Sequence, residues 1–121
     1  MSKKIHFGLF FSFAFFSLSA IASFGQAPQG INYQAIARDA SGNPLVSTSI
    51  NVEFKIHKTS ATGAVVYDEN YNSTATNTFG LFTLLIGKGA PASGNFSTII
   101  WGSNAFYLEV LINGTSMGTT Q

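Results

Sequence analysis

Period-two alternation is the clearest order in this chain. Ile50, Val52, Phe54 and Ile56 alternate with Asn51, Glu53, Lys55 and His57. Such a pattern predicts a strand with one dry face and one wet face. Phe106, Leu108, Val110 and Ile112 repeat it against Glu109 and Asn113, with Tyr107 and Leu111 fitting either face. Residues 81–86 are apolar nearly throughout, which predicts a strand covered on both sides. Weaker patterns at 31–38 and 64–71 predict two more strands.

Turn chemistry separates these runs. Ser41-Gly42-Asn43-Pro44, Ser60-Ala61-Thr62-Gly63, Asn77-Thr78-Phe79-Gly80 and Gly87-Lys88-Gly89-Ala90-Pro91 fall between them, supplying left-handed and fixed-φ positions. Asn113-Gly114 is the strongest short hairpin signal in the chain and asks for a further strand after it. Only seven residues rich in Gly, Ser and Thr follow, so 114–121 is expected as a truncated or flexible segment. Helical spacing is absent after residue 25, except that 96–101 suits one helical turn plugging an open end. The expected fold is all-β, a small antiparallel β-sandwich over residues 26–113.

Residues 1–25 follow a different pattern. Lys3, Lys4 and His6 precede an apolar run at 7–22, and small residues follow. A positive start, short apolar centre and small-residue exit predict a helical, cleavable signal peptide. The run is shorter than the roughly 20 residues a membrane-spanning helix needs, which argues against an anchor. Cleavage before Gln26 is favoured over cleavage before Ser23. A lipid-anchored terminus needs a cysteine, and the chain has none. The expected location is therefore secreted or cell-surface, with no membrane insertion once the signal is removed.

Removal of residues 1–25 leaves 96 residues, enough for one small domain with its own core. Without cysteine there is no disulfide framework and no thiolate metal site, so packing alone must hold the fold. Arg38, Lys55, Lys58 and Lys88 remain against five acids. That balance gives no electrostatic case for nucleic acid.

Candidate chemistry is sparse. His57 is the single histidine after the leader and alternates onto a polar face, where a surface role is the expectation. A nucleophilic triad needs it to meet a serine and an acid in a cleft. One histidine leaves little for zinc. Adjacent Asp68 and Glu69 must point to opposite faces of a strand, and Asp39, Glu53 and Glu109 lie on other elements, so a paired-carboxylate site is not expected. Asp39-Ala40-Ser41-Gly42-Asn43 looks like the opening of a calcium loop but lacks the distal glutamate, and an Asx turn is the favoured reading. The glycines at 87, 89 and 94 lack the helix start of a phosphate cradle. Asn72, Asn95 and Asn113 sit in N-glycosylation patterns of a kind that arise by chance in a chain rich in Asn, Ser and Thr. Trp101, Tyr33, Tyr67, Tyr71 and Tyr107 are read as core aromatics, with a sugar-stacking face as the alternative. No catalytic, cofactor-binding or metal residue is assigned.

The motif string Ala27-Pro28-Gln29-Gly30-Ile31-Asn32-Tyr33-Gln34-Ala35, then Ala37-Arg38-Asp39-Ala40-Ser41-Gly42-Asn43-Pro44-Leu45, Asn77-Thr78-Phe79-Gly80-Leu81-Phe82, Ile86-Gly87-Lys88-Gly89 and Trp101-Gly102 resembles the N-terminal module of secreted Bacteroidetes surface proteins. Many of those carry tail-fibre-like or collagen-like repeats downstream. Asp39 to Leu45 with Thr78 to Phe82 also resembles the regulatory-type domain of carboxypeptidases, a transthyretin-like or Ig-like sandwich. The resemblance implies a non-catalytic structural or assembly module without cofactors. Its implied partners are other proteins or downstream domains of the same polypeptide, with surface glycans as the alternative ligand. It further implies that such chains continue past Gln121 into a short apolar strand, without which the sandwich has an open edge. Ile50, Val52, Phe54, Ile56, Phe82, Leu84, Leu108 and Val110 are the expected core.

Overall fold

The computed structural model describes residues 29–121; the expected signal peptide lies outside them. Seven strands follow in order: β1 (Ile31–Ile36), β2 (Ser49–Lys58), β3 (Val65–Ala75), β4 (Leu81–Ile86), β5 (Ala90–Ser93), β6 (Phe106–Ile112) and β7 (Thr115–Thr120). One 3₁₀ turn, Phe96–Thr98, lies between β5 and β6. All pairings are antiparallel. A two-stranded sheet, β1-β4, faces a five-stranded sheet ordered β5-β3-β2-β6-β7. The fold is a small all-β sandwich, as the alternation predicts.

β2 is the axis of the larger sheet. Ile50, Val52, Phe54 and Ile56 are buried between the layers. Their ladder partners are Tyr71, Glu69 and Tyr67 on β3, and Ile112, Val110 and Leu108 on β6. From the smaller sheet come Phe82 and Ile86, buried, and Leu84, half-buried. Aromatic rings pack edge to face: Tyr33 on β1 meets Phe54 across the layers at 5.1 Å, and Phe54 meets Tyr71 within the larger sheet at 6.3 Å. A second row runs Tyr67–Phe96–Trp101–Phe106 with centroids 5.2–5.5 Å apart. Offset edge contacts of this kind add to the burial of apolar area. Phe96, held by the 3₁₀ turn that Asn95 caps through its side chain to the Ser97 N–H, plugs that end of the sandwich, where a helical turn is expected.

Three differences from the sequence reading have simple causes. Residues 81–86 are covered on one side only: Phe82 and Ile86 are buried while Thr83 and Leu85 are exposed, because the smaller sheet forms an outer layer. Residues 115–120 form β7, a strand paired with β6, where a loose tail was expected. Asn113 and Gly114 both have positive φ, +50° and +84°, the geometry of a two-residue hairpin turn, and that turn enforces the pairing. β5 was not foreseen; it is four exposed residues including Pro91, a pattern without alternation at a sheet edge.

Candidate functional site

Two polar centres are built into the larger sheet, one on each face. The inner one is Glu69. Alternation along β3 puts Tyr67, Glu69 and Tyr71 on the face toward β4, and Glu69 is wholly buried. Its carboxyl oxygens accept from the Gly87 N–H at 2.9 and 3.1 Å, from the Gly89 N–H at 3.0 Å and from the Tyr67 hydroxyl at 2.6 Å. Every polar neighbour in that set is a donor, which matches a group that only accepts. The clamp ties the turn after β4 to the middle of β3 and so links the two sheets. Gly87 has φ +103°, and a Cβ there would lie 2.7 Å from the Phe96 ring; only glycine fits the turn that presents these N–H groups. Burial first, then the bond to Glu69, pushes the Tyr67 phenol well above its ordinary value.

The outer centre surrounds His57. Contrary to the surface role expected of it, His57 is 9% exposed. Its Nδ1 lies 2.8 Å from the Gly63 carbonyl and its Nε2 lies 2.9 Å from Glu109 Oε1. Both ring nitrogens thus face acceptors, an arrangement that favours the doubly protonated cation. The Gly63 carbonyl first, and Glu109 after burial's opposing effect, raise the His57 pKa above its ordinary 6.5. Glu109 is lowered below 4.5, chiefly because the Ser116 hydroxyl donates to its Oε2 at 2.7 Å, and then because of His57. The order of contacts is Gly63–His57–Glu109–Ser116. In a hydrolytic triad the serine must touch the histidine; here the acid stands between them.

The same outer face gathers acids expected to stand apart. Glu53, Lys55 and His57 on β2 lie beside Asp68 on β3 and Glu109 on β6. Asp68 Oδ1 is shut off from solvent with no donor at hand. The closeness of Asp68, above all, raises the Glu53 pKa, with burial adding to it. Asp68 and Glu69 point to opposite faces, as a strand dictates. Among the described residues no group of three or more His, Asp or Glu is placed to hold a metal ion.

Asp39 forms the Asx turn that the sequence favours. Its Oδ1 accepts from the Ser41 and Asn43 N–H groups at 2.9 Å, which spends the oxygen on the backbone. Asn77 repeats the device with Phe79 and Leu81. Trp101 lies half-buried between Phe96 and Phe106, and Tyr33, Tyr67 and Tyr71 pack against the core. Tyr107, opposite His57, is the tyrosine set on the outer face.

Open clefts of about 220–300 Å³ mark the described surface; Asp39 borders one, beside Leu45 and Ile112, while His57, Glu109 and Glu69 line none of these. Sequence reasoning missed the Glu69 clamp. Its signal was an acid at an inward position between two tyrosines, followed by Gly-Lys-Gly at the next turn. No curated protein and no solved structure matches the chain. The model of a family described as a domain of unknown function, DUF8740, matches residues 32–121, and the chain belongs to that family.

Proposed function

We propose that this chain is a non-catalytic exported module, the N-terminal structural or assembly domain of a cell-surface or fibre-like protein. The observation that carries this reading is how its reactive side chains are used. Glu69, Asp39, His57 and Glu109 are each engaged by backbone or neighbouring side chains that hold the fold. Asp39 borders an open cleft but spends its Oδ1 on an Asx turn, and the other three line none of the clefts described above. Catalysis needs a polar group poised in a concave site. The aromatic rings support the same reading over sugar binding, since Tyr67 is buried and Tyr33, Tyr71 and Trp101, partly buried, pack edge to face against core rings. The resemblance to Bacteroidetes surface modules and the leader-like residues 1–25 supply the exported setting.

The test is to express the full gene in a Bacteroidetes host, fractionate the cells, and sequence the N-terminus of the exported product. The expected result is surface or medium localisation with a product beginning at Gln26. Retention in the cytoplasm, or specific hits when the protein is applied to a glycan array, would overturn the reading.

A further inference from the structure

The outer edges of β5, β4 and β1 are not alike. β5 is short and carries Pro91, which blunts it. β4 is capped: the Tyr71 hydroxyl and the Lys88 N–H both donate to the Leu85 carbonyl, and Asn77 takes both backbone groups of Leu81, its N–H by side chain and its carbonyl by backbone. Those bonds also fix the phase of the β1–β4 ladder. Leu81 and Leu85 turn their backbone groups away from β1, so Phe82, Leu84 and Ile86 exchange bonds with Ala35, Tyr33 and Ile31. The backbone N–H and C=O of Asn32, Gln34 and Ile36 therefore point to the opposite edge, where no described strand pairs with them.

That edge overhangs an apolar floor. β4 lies over β3, tied by Tyr71 and Glu69, and β1 lies over β2, where Tyr33 meets Phe54. β6 and β7 extend beyond β1. The cleft there, about 220 Å³, is lined by Tyr33, Leu108, Val110 and residues 117–120. A second of similar size continues it past Ile31, Trp101 and Phe106. No charged side chain lines either cleft.

We propose that this groove receives one extended, uncharged strand of a partner polypeptide, paired with the free edge of β1 and turning apolar side chains at alternate positions onto Leu108, Val110 and Met117. This rests on the assembly reading above and names its contact. Unpaired groups at every second residue call for a strand, because a strand presents its own at the same period. The uncharged lining selects apolar contacts. A second whole sandwich does not fit: edge-to-edge pairing through β1 would drive its own β6 and β7 into these.

The experiment follows backbone amide exchange by NMR in the 121-residue chain, with and without a peptide of about ten residues that alternates valine and threonine between terminal lysines. The amides of Asn32, Gln34 and Ile36 are expected to slow by about tenfold or more, while Tyr33 and Ala35, already bonded to β4, stay unchanged. Met117→Asp, at an exposed position, should keep the fold and abolish the effect. Three results would overturn the proposal: no slowing at saturating peptide, equal slowing by a peptide with its valines in one block, or slow exchange of the three amides before any peptide is added. The last would mean that a second copy or the chain itself already fills the groove. Export is not read by this assay, so its failure and that of the assembly reading remain separate.

Discussion

Glu69 and Glu109 sit on strands flanking β2 and face opposite sides of one sheet. Glu69 is closed from water and held by two backbone N–H groups and a phenol. Glu109 stays in partial contact with solvent and is held by a histidine and a serine. The first arrangement has donors fixed by a glycine turn, so it cannot rearrange cheaply. The second depends on a titrating partner. A buried acceptor without donors is costly, whereas water can replace the partners of an accessible one. The inner centre should therefore dominate stability, and the outer one should shape its dependence on pH.

Glu69→Ala should have the largest effect. It strands the Gly87 and Gly89 N–H groups and the Tyr67 hydroxyl, and a loss of about 3 kcal/mol or more is expected, measured by denaturant unfolding. Glu69→Gln should cost less but remain destabilising, because its amide would set a donor against one of the glycine N–H groups. Equal stability of Glu69→Ala and the parent would break the comparison. Tyr67→Phe removes one donor and leaves the two glycines in place, with an expected cost of about 1–2 kcal/mol by the same measurement.

The outer pair is tested through pH. The His57 pKa is raised on folding, so its contribution is fully present below about 6.5 and is lost as pH rises through the higher folded value. The Glu109 pKa is lowered, so its contribution is present above about 4.5 and is lost as pH falls through the lower folded value. Stability should therefore plateau between these two pH values and decline on either side. His57→Gln should cost about 1 kcal/mol on the plateau and flatten the alkaline decline; an unchanged alkaline limb would remove His57 as its cause. Ser116→Ala should be smallest, about 0.5 kcal/mol, with the midpoint of the acid limb moving upward.

Much of this fold is legible because burial imposes alternation. β2 and β6 lie at the centre of the larger sheet, and Ile50 to Ile56 and Phe106 to Ile112 register that directly. β5 and β7 escape because edge strands bury little: of residues 115–120 only Met117 is large and apolar, and it is exposed. The hairpin turn at Asn113-Gly114 was a better guide to β7 than its own residues. Both polar centres depend on cross-strand neighbours. His57 reads as a surface residue along β2, and it is covered only because the 60–64 turn and Glu109, 52 positions away, close over it. Glu69 reads as one acid beside another until Gly87, 18 positions on, is brought to it.

β2 pairs with β3 across one short turn but with β6 only through partners such as Phe54 and Val110, far apart in the chain. Until β6 docks, a β2–β3 hairpin has its apolar inner side and one flank uncovered. Non-local pairing of this kind slows folding, so the strand at the centre of the finished sandwich is also where its long-range, slow pairing is concentrated.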